Sequence, residues 1–190
     1  MTTQAVQLKE ITMINGINLD ILQETVGAII EEPELGKCRF RATNQWDGGS
    51  KNSTSISSFY AAGEERTHKQ NFVFNADEPP LLAGYDDAAN PVEYLLHSLA
   101  ACVTTTIVAH SAVKGVNIEK VECQLEGDID VNGFLGLNPD APKGYTDIRM
   151  NYMIKADVDD ANELKELVQY SPVYNVVSKG VNVDVQIELA

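Results

Sequence analysis

The longest segment of this chain that follows neither a solvated-helix nor a strand pattern lies between Asn90 and Gly115. It carries formal charges only at Glu93 and Lys114, which leaves no broad polar face and predicts a helix at the centre of a core. Both ends of that helix are written in the sequence. Asn90 can cap it, Pro91 suits the first helical position, and Glu93 stands where a capping box places its acid. Lys114 and then Gly115 supply a cation near the negative end of the dipole and a residue free to turn left-handed. Ser98, Ala101, Cys102, Thr105, Ala109 and Ala112 recur at helical spacing and make one flank small, whereas Leu95, Leu96, Leu99, Val103 and Ile107 make another bulky. About 20 apolar residues suffice to span a membrane, but His97, Ser98, Thr104, Thr105, Thr106, His110 and Ser111 argue against a span here.

On either side of this helix the period changes. Residues 1–16 are polar and mixed and read as an arm. Leu22, Val26, Ile29 and Ile30 fall at helical spacing behind an Asx cap near Asn18, predicting a short amphipathic helix that ends at Glu32-Pro33. From Lys37 to Thr43 the pattern alternates, with Cys38, Phe40 and Ala42 on one face, so Cys38 reads as a core filler of a strand. A turn over Asp47–Ser53 and a return strand over Thr54–Tyr60 complete a hairpin. The polar stretch from Gly63 to Gln70 precedes a short strand at Phe72-Val73-Phe74, and residues 75–89 are loop by composition. After the central helix, Ile118–Val131 and Tyr145–Ala156 alternate and predict an antiparallel pair, with Val121, Cys123, Leu125, Ile129 and Val131 as inner-face candidates. A capped amphipathic helix follows over Asp159–Tyr170, stopped by Ser171-Pro172, and Val173–Ser178 can form another helical turn. Val181–Leu189, the most regular alternation in the chain, predicts a closing strand. The class is α+β: a helix layer over antiparallel sheet, with 1–34 as arm and short helix and 35–190 as the main domain.

Composition narrows the partners. A chain of 190 residues with 44% hydrophobic and 22% charged residues is of ordinary globular make-up. Its net charge of −14, without a cluster of Lys and Arg, is unfavourable for nucleic acid or an anionic membrane surface, and neither is expected as a partner. The first ten residues lack the basic start and apolar run of a secretory signal, so the default location is cytoplasmic. Cys38, Cys102 and Cys123 are odd in number and widely spaced, suiting neither a disulfide framework nor a zinc site.

Cys102 is the one cysteine on a helix, and it lies in the small flank. It reads either as core packing or as a nucleophile, and the second needs a cation or a helix N-terminus to hold its thiolate. His97 and His110 stand 13 residues apart, too far for a metal pair, and no metal or cofactor is expected. Phosphate loops, dinucleotide fingerprints and nucleophile elbows are lacking.

The run from Asn90 to Cys102 resembles the central helix of the OsmC/Ohr family, whose pattern is Asn-Pro-Glu-Glu-Leu followed by small residues and a cysteine at this spacing. The acidic loop before it, Glu126-Gly127-Asp128, and Ser171-Pro172-Val173 before a closing strand are similar too, so that the resemblance covers roughly residues 36–189. It implies a swapped homodimer in which two sheets wrap around paired central helices, with the small flank as packing surface. It also implies a thiol peroxidase that reduces organic hydroperoxides: Cys102 attacks the peroxide, an arginine and a glutamate stabilise the thiolate, and a second cysteine resolves the sulfenic acid. Ser171 occupies the position of that second cysteine, which makes an intramolecular disulfide there impossible. The family's glutamate falls on Val92, with Glu93 about 100° further round the helix. The hairpin turn offers Lys51 rather than arginine, and lysine cannot make the planar two-pronged contact; Arg39 and Arg41 are nearby alternatives.

Two functions follow. One is a one-cysteine hydroperoxide reductase regenerated by an external thiol, with Cys102, Glu93, Lys51, Arg41 and Ser171 as site residues. The other is a non-enzymatic dimer that binds a small apolar ligand between its central helices or senses redox state.

Overall fold

The computed structural model describes residues 12–189, so most of the expected polar arm lies outside the described residues. The chain divides into two compact units, Met1–Tyr94 and Leu95–Ala190.

The first unit opens with a small ribbon, β1 (Met13–Ile14) and β2 (Ile17–Asn18), turned through Asn15 and Gly16, both at positive φ. The helix α1 (Leu19–Glu31) follows as expected, with the Asn18 side chain accepting from the Ile21 amide. Four strands form the main sheet: β3 (Arg39–Phe40), β4 (Thr43–Gly48), β5 (Lys51–Ala61) and β6 (Glu64–Ala76). β5 is central, with β3 and β4 in succession along one edge and β6 along the other, all antiparallel.

Three expectations change here. The β4–β5 turn is tighter than Asp47–Ser53, because Gly48 and Gly49 both take positive φ and let Lys51 already pair with Gly48. The strand expected only at Phe72–Phe74 starts eight residues earlier, because Glu64–Gln70 of the polar stretch form the first half of the 13-residue β6. Ala62 and Gly63, with φ of 51° and 80°, make the two-residue turn whose twist suits a hairpin, and pairing with β5 then fixes residues too polar to announce a strand. Cys38 is exposed rather than a core filler, and Phe40 on the same face is exposed as well, stacked on Phe59 at 5.8 Å. Alternation marks a shared face but cannot say that anything covers it.

The central helix α2 (Pro91–Val113) starts in the last residues of the first unit and runs through the second. Its C-terminus closes with Gly115 at φ 78°, the Gly115 amide on the Ala112 carbonyl and the Val116 amide on that of Ser111. Two long strands, β7 (Ile118–Ile129) and β8 (Tyr145–Ala156), pair antiparallel, joined by a loop that holds the short α3 (Val131–Phe134). Ile129 is exposed and Val131 starts α3, so the inner face ends at Leu125 rather than at Val131. The expected helix over Asp159–Tyr170 is split into α4 (Ala161–Lys165) and a 3-10 turn (Glu166–Tyr170), followed by α5 (Pro172–Lys179).

Leu99, Val103 and Ile107 of α2 form the core of this unit with Leu164 and Leu167, against Leu125, Ile148, Met150, Tyr152 and Ile154 of the two strands. Burying such a side chain stabilises by about 1.5–3 kcal/mol, so the bulky flank alone anchors α2. By length and hydropathy α2 could cross a membrane; in this fold Leu99, Val103 and Ile107 of its bulky flank are core, while Leu95 is exposed. The final run, Val181–Leu189, forms no strand among the described residues, and Val181, Val183, Val185, Ile187 and Leu189 are 64 to 97% exposed. The alternation was legible, but the hydrogen-bonding neighbour that makes a strand is not within the unit.

Candidate active site on the central helix

The start of α2 is built as the sequence predicts. The Glu93 amide donates to Asn90 Oδ1 and the Asn90 amide donates to Glu93 Oε2, both at 2.9 Å, a reciprocal capping box that holds the first turn. Glu93 is thereby engaged by the cap. It also precedes Cys102 by nine residues, two and a half turns, which puts the two side chains on opposite faces of the helix.

The small flank lines an open groove of about 610 Å³, with Ser98, Ala101, Cys102, Thr105 and Ala109 along its floor, His97 and His110 toward its ends and Pro172 at its wall. Small side chains leave the space; the bulky flank, turned the other way, fills the core. His97 and His110 share this groove, but 13 residues of helix separate them by about 20 Å along the axis. His110 stacks on Tyr170 at 4.6 Å. Among the described residues no group of three His, Cys, Asp or Glu side chains is placed to hold a metal ion.

Cys102 is half-buried in this groove, and Ser171 Oγ lies 3.2 Å from its sulfur. Ser171 is fully buried as the N-cap of α5, where its Oγ accepts from the Tyr174 amide. An amide can only donate, so the single hydroxyl proton of Ser171 is left for the sulfur. On the strand side, Tyr152 donates from its hydroxyl to the Ala100 carbonyl and meets Thr104 Oγ1, each at 3.3 Å. Burial, above all, pushes the Tyr152 phenol up to about 12. Cys123, directly across from Tyr152 in the β7–β8 pair, has its thiol pushed up by burial as well.

Of the residues that the sequence nominates, Cys102 and Ser171 are thus brought together. The cations have other partners in the first unit. Arg41 forms a two-pronged pair with Glu65, at 2.6 and 2.7 Å, which lowers the Glu65 carboxyl and raises the guanidinium. Lys51 is paired with Asp87 and sits 4.6 Å from the centre of the Tyr85 ring.

What holds Lys51's partners in place went unseen in the sequence. Asp77 is 1% exposed and accepts from Ser50 Oγ at 2.6 Å and from the amides of Glu78, Tyr85 and Asp87. These donors, Ser50 first, pull its carboxyl down to about 2. The loop closes so tightly around it that a β-carbon on Gly84 would lie 1.6 Å from the Glu78 carbonyl oxygen. An acidic residue in a Pro- and Gly-rich loop gives no sign of such a role, because its donors are backbone amides and one serine hydroxyl from a distant turn.

A thiol on a central helix, beside a buried hydroxyl and above an antiparallel strand pair, defines a class of α+β proteins with a cysteine at the heart of the fold. The family model for OsmC-like protein matches residues 84–186, and the chain belongs to that family. No curated protein matches the sequence. Among solved structures the chain is similar to one from Psychrobacter arcticus 273-4, given a provisional role as an osmotic stress induced and detoxification response protein. Identity is 15%, coverage 73% of this chain and 88% of that one, and the TM-score 0.55. It is also similar to an OsmC-like protein from Mycoplasma pneumoniae, at 19% identity, 74% and 88% coverage and a TM-score of 0.53. A protein from Legionella pneumophila named an organic hydroperoxide resistance protein OsmC is 18% identical over 75% of this chain and 93% of that one, with a TM-score of 0.48.

Proposed function

We propose that this protein is a one-cysteine hydroperoxide reductase that acts as a homodimer, with Cys102 as the peroxidatic thiol. The observation that carries the reading is Cys102 itself: a half-buried thiol at the floor of an open groove, hydrogen-bonded at its sulfur, inside the segment matched by the family. The thiolate attacks the terminal oxygen of R–O–OH, an S–O bond forms as O–O breaks, and the alkoxide leaves and takes a proton from water. Sulfur loses two electrons and becomes a sulfenic acid while the hydroperoxide is reduced to an alcohol. An external thiol then attacks that sulfur, releasing water and leaving a mixed disulfide, which a second thiol reduces. Ser171 stands where the family has a second cysteine, so the external thiol is required.

Homodimer formation is supported by the exposed apolar row from Val181 to Leu189, which lacks a neighbour within the unit. Glu93, Lys51 and Arg41 remain candidates for tuning the thiolate within that assembly. Three free cysteines agree with a reducing, cytoplasmic setting.

The test is consumption of cumene hydroperoxide with a dithiol reductant, with sulfenic acid trapped and located by mass spectrometry. Turnover that vanishes in Cys102→Ser and a trap confined to Cys102 are expected. Equal reaction at Cys38 or Cys123, or continued turnover in Cys102→Ser, overturns the reading. The spacious groove also favours a second reading, in which a small apolar ligand occupies it and Cys102 reports redox state; a single oxidation without turnover selects that one.

A further inference from the structure

Catalysis by Cys102 requires its sulfur to be ionised near neutral pH, whereas a free cysteine has a pKa of about 8.5. Ordinarily a cation does this. Among the described residues, titratable side chains near Cys102 include His97 and His110 of α2, Tyr170, stacked on His110, and on the strand side Tyr152 of β8 with Cys123 of β7 across from it. The group within hydrogen-bonding distance of Sγ is neutral: the Ser171 hydroxyl, at 3.2 Å.

That hydroxyl is unusually well determined. Ser171 is fully buried, its amide donates to the Val168 carbonyl at 3.0 Å, and its own carbonyl accepts from the amide and the side chain of Asn175 at 3.1 and 2.9 Å. Its Oγ accepts from the Tyr174 amide at 3.3 Å, in the first turn of α5. The amide therefore polarises the hydroxyl and points its proton at Cys102, and the positive end of the α5 dipole is relayed to the sulfur through one oxygen. A hydrogen bond donated to an anion is stronger than one donated to a neutral atom, so this contact favours thiolate over thiol.

We propose that Ser171 is a positioning residue that tunes the reactivity of Cys102, its hydroxyl stabilising the thiolate through a donated hydrogen bond. The position that cannot resolve the oxidised sulfur instead activates the reduced one. The inference deepens the peroxidase reading and rests on it for its purpose, but not for its test.

The experiment is the pH dependence of alkylation at Cys102, followed by peptide-resolved mass spectrometry in the full chain so that Cys38 and Cys123 are read separately. Wild-type protein supplies the reference midpoint. Ser171→Ala is expected to raise it by on the order of one pH unit, slowing alkylation at neutral pH roughly tenfold. Ser171→Thr, which retains a hydroxyl, is expected to restore most of the shift. Since loss of the cap can disturb folding, Ser171→Gly provides a second deletion of the hydroxyl at small cost to the cap. A midpoint that stays at the wild-type value in a folded Ala or Gly variant overturns the role of Ser171, whatever the peroxide assay gives. A midpoint that moves while cumene hydroperoxide is not consumed retains Ser171 as the activating group and overturns the peroxidase instead.

Discussion

Ser50 Oγ lies 2.6 Å from the buried carboxylate of Asp77, and this bond ties the β4–β5 turn to the loop that leads into α2. The same carboxylate gathers three backbone amides from residues 78–87, and Asp87 in turn pairs with Lys51. Asp77→Ala is expected to release this loop, read as fast amide exchange at Tyr85 and Asp87 and as new proteolytic cleavage between residues 77 and 90. Asp77→Asn, which keeps an acceptor, should lose less.

Acid should act through the same group. Its folded pKa is depressed to about 2, against about 3.9 for an unfolded aspartate. Its contribution to stability is therefore fully present above pH 4 and is lost as pH falls toward 2. Following the amides of Glu78, Tyr85 and Asp87 by NMR from pH 5 to 2 is expected to show them releasing together near the lower end. Release beginning at pH 5 would contradict the assignment.

Gly84 admits no side chain, since a β-carbon would meet the Glu78 backbone at 1.6 Å. Gly84→Ala is expected to destabilise the first unit by about 1–3 kcal/mol, as overpacking does, measured by chemical unfolding.

In the second unit, Ile107 is 2% exposed and stands within the cluster of Leu99, Val103, Leu164 and Leu167. Ile107→Ala is expected to cost about 2–5 kcal/mol. Cys123, whose thiol burial pushes up, is expected to alkylate more slowly at neutral pH than the exposed Cys38.

Lysine at Val183 and Val185 together is expected to shift the solution mass from dimer to monomer in light scattering, with the far-ultraviolet spectrum preserved. A mass that stays dimeric places the interface elsewhere.

How much could be read in advance depended on how local each cause is. α2 was legible to within a residue at each end because its caps, its charge-free span and its two flanks all lie within 26 residues. β8 was equally plain, since one face is covered and alternation records it. β6 was not: Glu64–Gln70 owe their strand to β5 across a turn, and neither face is apolar. Cys38 was misplaced because alternation says which side chains share a face, not that a neighbour exists. At the site, the separation of 69 positions between Cys102 and Ser171 puts their contact beyond any spacing rule, and only the family resemblance singled out Ser171. Asp77 left no trace, since four donors recruited from a turn and a loop have no sequence pattern of their own.

The uncovered apolar row at 181–189 has a kinetic consequence. On the proposed dimer its five apolar side chains are matched only by a second copy, so refolding is expected to include a second-order phase that slows on dilution.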